Sequence, residues 1–132
     1  PPSSALGDRW ERQVRELVAA GGITALTREL ALQAQCVAIE GRRWRLRVER
    51  EALAAAAHRE RLQTALGDAL GGAVELEIEV GTAQDTPALR EAAKRARRQE
   101  AAEKIIHDDP LVRALMQQYS TARIVPGSVK PH

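Results

Sequence analysis

The chain has 132 residues, a length that fits one domain of ordinary size with one modest hydrophobic core. Its 44% hydrophobic and 29% charged residues point to a globular, soluble class and exclude a disordered one. Twenty basic residues stand against 18 acidic ones, and a net charge of +2 argues against a dedicated nucleic-acid-binding domain, whatever the pI near 9.2 implies.

Aromatic residues are limited to Trp10, Trp44 and Tyr119, so the core must be built from Leu, Val, Ile and Ala. The single Cys36 allows no internal disulfide, which suits a reducing cytoplasm. Its place in an apolar run marks it as an inert core thiol. The uncharged stretch Leu53 to Ala57 is far too short to span a bilayer, and no signal peptide is expected.

Residues 1–7 read as the end of a linker, on the strength of Pro1, Pro2, Ser3 and Ser4. Asp8 is then a good N-cap, followed by Trp10, Val14, Leu17 and Val18 on one helical face. Gly21 and Gly22 stop that helix. A second helix is predicted over 24–33, with Ile23, Leu26 and Leu30 as its apolar stripe. Cys36 to Glu40 reads as a strand, and residues 41–43 as a turn. The strand returning over 44–49 alternates Trp44, Leu46 and Val48 with Arg45 and Arg47. A helical region follows over 50–70, with Leu62, Leu66 and Leu70 buried and Gly71-Gly72 as its stop. In the strand predicted over 73–80, Val74, Leu76, Ile78 and Val80 alternate with Glu75, Glu77 and Glu79. Thr86-Pro87 is a strong helix start, leading to a helix that ends near His107. Asp108-Asp109-Pro110 breaks it and caps a last helix, which ends near Tyr119.

The order ααββαβαα implies an α+β fold in two layers. A small three-stranded sheet carries helices on one face and polar side chains on the other. The mix of elements is KH-like, but the G-x-x-G loop of an RNA-binding KH domain is absent. The domain is taken as 8–119, and residues 120–132, rich in Pro and Gly, as an extended tail.

Two basic groups invite a nucleic-acid reading. In the Arg42–Arg47 hairpin, alternation puts Trp44 on the face opposite Arg43, Arg45 and Arg47. The arginines then match the acidic stripe of Glu75, Glu77 and Glu79 on the third strand, with the small Ala38 leaving room if the first strand lies between them. Cross-strand charge pairing is the preferred reading, with phosphate contact and protein contact as alternatives. On the helix over 90–104, Arg90, Lys94, Arg95, Arg97, Arg98 and Lys104 are interspersed with Glu91, Glu100 and Glu103. This reads as a solvated charged face, with a single-stranded nucleic-acid contact as the alternative.

His58, His107 and His132 are far apart and have no metal-ligand spacing. No activated nucleophile, acid–base pair or phosphate-cradling loop emerges, so the chain reads as a binding module without catalytic, metal or cofactor sites. The segment 123–131 holds Ile124, Val125 and Val129 in a stretch too rich in Pro and Gly for helix. It either packs on its own domain, stays unstructured, or serves as a docking peptide whose apolar side chains enter a partner's groove.

Several segments together resemble a known family. They are Thr86-Pro87, Ala101-Ala102-Glu103-Lys104-Ile105-Ile106, Asp109-Pro110-Leu111-Val112 and the ending Ile124 to Pro131. Trp10, the Leu62–Leu66–Leu70 helix and the Val74–Gly81 strand fit the same pattern. Their order and spacing resemble the C-terminal domain of the bacterial DNA polymerase III tau subunit, over nearly the whole chain. The resemblance implies a non-catalytic scaffold of DNA replication that binds the polymerase alpha subunit and so tethers the core polymerase to the clamp loader. The ATPase of that subunit lies in another part of it. Binding would run through the tail residues Ile124, Val125, Ser128, Val129, Lys130 and Pro131, with Tyr119 and an adjoining helical surface. Tyr119 stands where Phe is frequent and Val129 where Ile is common. The implied setting is cytoplasmic and the isolated domain monomeric. Alpha is then the partner, with no cofactor, small-molecule substrate or membrane, and nucleic acid is not the main ligand.

Overall fold

The structure, a computed structural model, describes residues 4–122, with side chains as far as Gln118. Helix α1 (Ala5–Ala19) and α2 (Ala25–Gln33) precede the hairpin of β1 (Gln35–Glu40) and β2 (Arg43–Val48). A 3₁₀ turn (Glu51–Ala54) and α3 (Ala56–Leu70) cross over to β3 (Glu75–Val80). Helices α4 (Pro87–Asp108) and α5 (Pro110–Ala122) follow. The α+β class and the order of helices and strands are those expected.

The sheet order is β1-β2-β3, so the central strand is β2 and not β1. It pairs antiparallel with β1 and parallel with β3. The two-residue loop Gly41-Arg42 closes the hairpin, with Gly41 at a φ of 62° in its first position, where such turns favour glycine. A register shift between Cys36 and Ala38 marks a bulge in β1. The parallel pairing of β2 with β3 requires a long connection, which α3 supplies.

The core lies between helices and sheet. Trp10, Val14 and Leu17 of α1, Leu30 and Ala31 of α2, and Leu62 and Leu66 of α3 bury against Cys36, Trp44, Leu46, Val48 and Leu76. The Trp10 and Trp44 rings meet at 5.8 Å and 57°, and Trp10 Nε1 donates to the Ala31 carbonyl at 3.1 Å. Burial pushes the Cys36 thiol up to about 11, so it stays protonated and unreactive, as its apolar setting implied.

Several local expectations need correction. Helix α1 begins at Ala5, inside the segment read as linker, because the Ser4 hydroxyl accepts from Gly7 N at 2.9 Å. Ser4, not Asp8, is therefore the N-cap, and Asp8 sits in the first turn. The stripe of α2 is Thr27, Leu30 and Ala31, and Leu26 is 52% exposed. Ala55 has extended backbone, so the region over 50–70 splits into the 3₁₀ turn, which seats Leu53 in the core, and α3. Val80 at the end of β3 is exposed rather than buried. Helix α5 continues to Ala122, past the expected start of the tail. The stops at Gly21-Gly22 and Gly71-Gly72 hold. Gly71 takes a φ of 76°, and Gly72 N donates to the Gly67 carbonyl at 3.0 Å.

The described residues divide into two compact units, with the boundary between Ala93 and Lys94, inside α4. The first holds the sheet, α1–α3 and the opening of α4. The second holds the remainder of α4 and α5.

Candidate functional site

The basic hairpin is neutralised from the neighbouring strand. Parallel register sets Arg43 beside Glu75, Arg45 beside Glu77 and Arg47 beside Glu79. Arg43 Nε lies 3.1 Å from Glu75 and 3.6 Å from Glu77, Arg45 Nε 3.5 Å from Glu77, and Arg47 Nε 2.7 Å from Glu79. The Glu75 carboxylate raises the Arg43 guanidinium above its ordinary value, chiefly through their hydrogen bond. The pairing needs no intervening strand, so the role pictured for Ala38 falls away. Trp44 is buried in the core, with the Arg9 guanidinium 5.2 Å from its ring centre, and offers no face to a base.

These pairs lie in the solvent-facing layer, where Coulomb gains are screened. Arg47→Ala is expected to lower the unfolding free energy by no more than about 1 kcal/mol, and by less as salt is added. Urea unfolding at two salt concentrations checks this. A loss of several kcal/mol would mean that the ladder acts as part of the core.

Arg90 falls in sequence among the cations of the charged helix, but it has a different setting. Its Nε and Nη2 grip the two Asp85 carboxylate oxygens at 2.6 and 3.0 Å. Nη1 reaches Asp8 at 2.7 Å and Glu11 at 3.6 Å, and Nη2 donates to the Ser4 carbonyl at 3.3 Å. Asp85 is 3% exposed and also accepts from Ser4 N and Oγ at 2.9 and 3.0 Å. The Arg90 guanidinium, helped by Ser4, holds the Asp85 carboxyl below the usual range although burial opposes it. The same bond raises Arg90 above its ordinary value. Gly7 is required beside this node, because a Cβ there would run into the Asp85 and Arg90 side chains. Next to it Thr86 Oγ1 accepts from Leu89 N at 3.0 Å, the N-cap that Thr86-Pro87 predicts.

In the second unit, α4 is exposed throughout from Arg97 to Asp108. Asp109 Oδ1 accepts from Leu111 N at 2.8 Å and caps α5. Leu111 is 69% exposed, and Leu115 and Met116 are each 47% exposed. Tyr119 is a residue of α5, and its side chain is outside those described. The expected tail residues Ile124, Val125, Ser128, Val129, Lys130 and Pro131 all lie outside the described residues.

Among the described residues no group of three His, Cys, Asp or Glu could hold a metal ion, and no helix is long and apolar enough to cross a membrane. The model of one family, described as DNA polymerase III tau subunit V interacting with alpha, matches residues 2–128. The chain belongs to this tau-domain family. No curated protein matches it. The match spans both compact units, so the exposed α5 belongs to the tau domain as much as the sheet does. The family is a protein-interaction domain of DNA replication, non-catalytic, and its partner is the alpha subunit.

Sequence reasoning reached the tau resemblance but missed the Asp85–Arg90 node. Asp85 directly precedes the Thr86-Pro87 helix start, which was the available signal. Nothing local links it to Ser4, 81 residues away.

Proposed function

We propose that this tau domain tethers the core polymerase to the clamp loader, in the cytoplasm, by binding the alpha subunit through its C-terminal tail and an adjoining helical surface. The observation that carries this reading is the family match over residues 2–128, a family described by its interaction with alpha. Within the tail, Ile124, Val125 and Val129 are the apolar anchors, and Ser128, Lys130 and Pro131 complete the docking peptide with Tyr119. Such a peptide loses entropy on binding, so a few anchors must dominate its affinity.

The test is surface plasmon resonance of the cognate alpha subunit over the intact chain and over a chain ending at Ala122. Truncation is expected to weaken binding by about thirtyfold or more, the effect of losing a hot spot, while leaving the circular dichroism unchanged. Binding led by apolar anchors should lose little affinity between low and high salt, unlike phosphate binding. Equal binding by both chains would remove the tail from the site. No binding by either would overturn the tether itself.

A further inference from the structure

We infer that the groove between the start of α2 and α3 captures the C-terminal end of a partner chain, one that finishes in an apolar residue with its free carboxylate. The groove lies wholly in the first unit, so the inference stands apart from the proposed tail and from how alpha is bound. Three observations carry it.

The first is a hydroxyl without a partner. Thr27 is 4% exposed and lines the groove. Its Oγ1 makes no hydrogen bond among the described residues, yet it is not one of the sealed polar atoms, so it opens onto the groove. An enclosed hydroxyl left unbonded costs stability, and here the bond falls to whatever occupies the groove.

The second is the end of α2, which opens at the same place. Thr24, the N-cap, also lines the groove, and its side chain makes no capping bond. Arg28 N is the first to bond back, to the Thr24 carbonyl at 3.2 Å, so the N–H groups before it lack an intrahelical acceptor. Uncapped N–H groups at a helix start favour an anionic oxygen. Arg61 on the α3 side adds a cation. Hydroxyl, N–H groups and guanidinium together suit a carboxylate.

The third is the remaining lining, which selects what the carboxylate is attached to. Leu17, Ile23 and Ala65 give apolar walls, each at most 9% exposed. The groove holds about 690 Å³, within the range of ligand sites, and runs along α3 from Ala57 to Ala69. That run is about 18 Å at the helical rise, room for about five extended residues. Glu60 and Asp68 also line it and would repel a ligand that is anionic throughout. They suit a basic residue a few positions before the chain end. Backbone N–H groups capture terminal carboxylates in other peptide-recognition sites. A lining of apolar, hydroxyl and charged groups fits such a peptide end, whereas a lipid tail has no use for the charges.

The test is nuclear magnetic resonance of the isotope-labelled intact chain, titrated with acetyl-Lys-Ser-Ala-Leu that ends in a free carboxylate. The titration runs to about 5 mM, enough to fill a site of millimolar affinity. Amide shifts are expected over 23–28 and 57–69, and none in the β2–β3 ladder. The same peptide with a C-terminal amide should bind at least about tenfold more weakly, since the charge is gone. Thr27→Val should weaken the free-acid peptide by a similar factor. Its unfolding midpoint should stay level or rise, because the hydroxyl removed has no partner in the fold. Lower stability with binding unchanged would make the hydroxyl a part of the fold alone and overturn the inference. Equal shifts from acid and amide would overturn carboxylate capture. Hexanoate acting on the same residues as strongly as the peptide would assign the groove to a free apolar acid and overturn the peptide occupant. No shift at these residues would overturn the site itself, with the tail reading left in place.

Discussion

Trp10→Ala is expected to lower the unfolding free energy by about 3–5 kcal/mol, the range for truncating a buried aromatic side chain. The indole is wholly enclosed, and it is one of only two in a chain without phenylalanine. The neighbouring core residues, Val14, Leu30 and Leu46 among them, are smaller and already buried, so none can swing in to fill the space. Truncation also removes the tilted contact with Trp44 and leaves the Ala31 carbonyl without its Nε1 donor. Domains of this kind are stable by about 5–15 kcal/mol in all, so the variant is left near its margin. Urea unfolding followed by far-ultraviolet circular dichroism measures the loss. A second readout is the Cys36 thiol, shielded and protonated in the folded core. Thiol labelling should accelerate as the unfolded population rises. A loss under about 1 kcal/mol, with labelling unchanged, would show that Trp10 does not anchor this core. Trp10→Phe restores most of the volume but not the hydrogen bond, and it should recover much of the stability.

The sequence was legible where one local rule decided the outcome. Period-2 alternation put Trp44, Leu46 and Val48 on the core face, and glycine pairs ended α1 and α3 where expected. Thr86-Pro87 started α4 as its capping chemistry requires. Legibility failed where two local signals competed. Ser4 and Asp8 are both good N-cap residues, and the choice between them was made by Asp85, a residue 81 positions from Ser4 that no local pattern connects to it. Strand order failed for the same reason. The Arg and Glu stripes agree with either β1 or β2 at the centre, and only the parallel register sets the charges directly side by side. The candidate site divides in the same way. The start of α5 was legible from Asp109-Pro110, but the exposure of Leu111, Leu115 and Met116 was not, since a local cap says nothing of what a helix faces.

Asp85→Ala is the second substitution with a large expected effect, a loss of about 3 kcal/mol or more. The carboxylate is buried and the Arg90 side chain is only 14% exposed, so removing one partner strands a guanidinium that water reaches poorly. Asp8 and Glu11 compensate only in part, because the Asp8 side chain is 70% exposed and its pairing is screened, and Glu11 lies farther off at 3.6 Å. The donors that lose this acceptor are Arg90 Nε and Nη2, Ser4 N and Ser4 Oγ, of which Nη2 keeps the Ser4 carbonyl. The acid limb of stability carries a sharper signature. Asp85 is held below its ordinary value when folded, so its contribution is fully present above the unfolded carboxyl value of about 4. That contribution is lost as pH falls from there through the folded value. The parent chain should therefore lose stability between about pH 4 and more acid conditions more steeply than Asp85→Ala or Asp85→Asn. The amide introduced by Asp85→Asn keeps an acceptor for Ser4 without the charge, so this variant should fall between the other two at neutral pH. Equal stability at neutral pH and parallel acid limbs would sink the assignment. Loss of the node should release two helices at once. The Ser4 cap of α1 and the Arg90 anchor in the first turns of α4 meet on this one carboxylate, so amide exchange should quicken at both helix starts while the β2–β3 ladder keeps its protection.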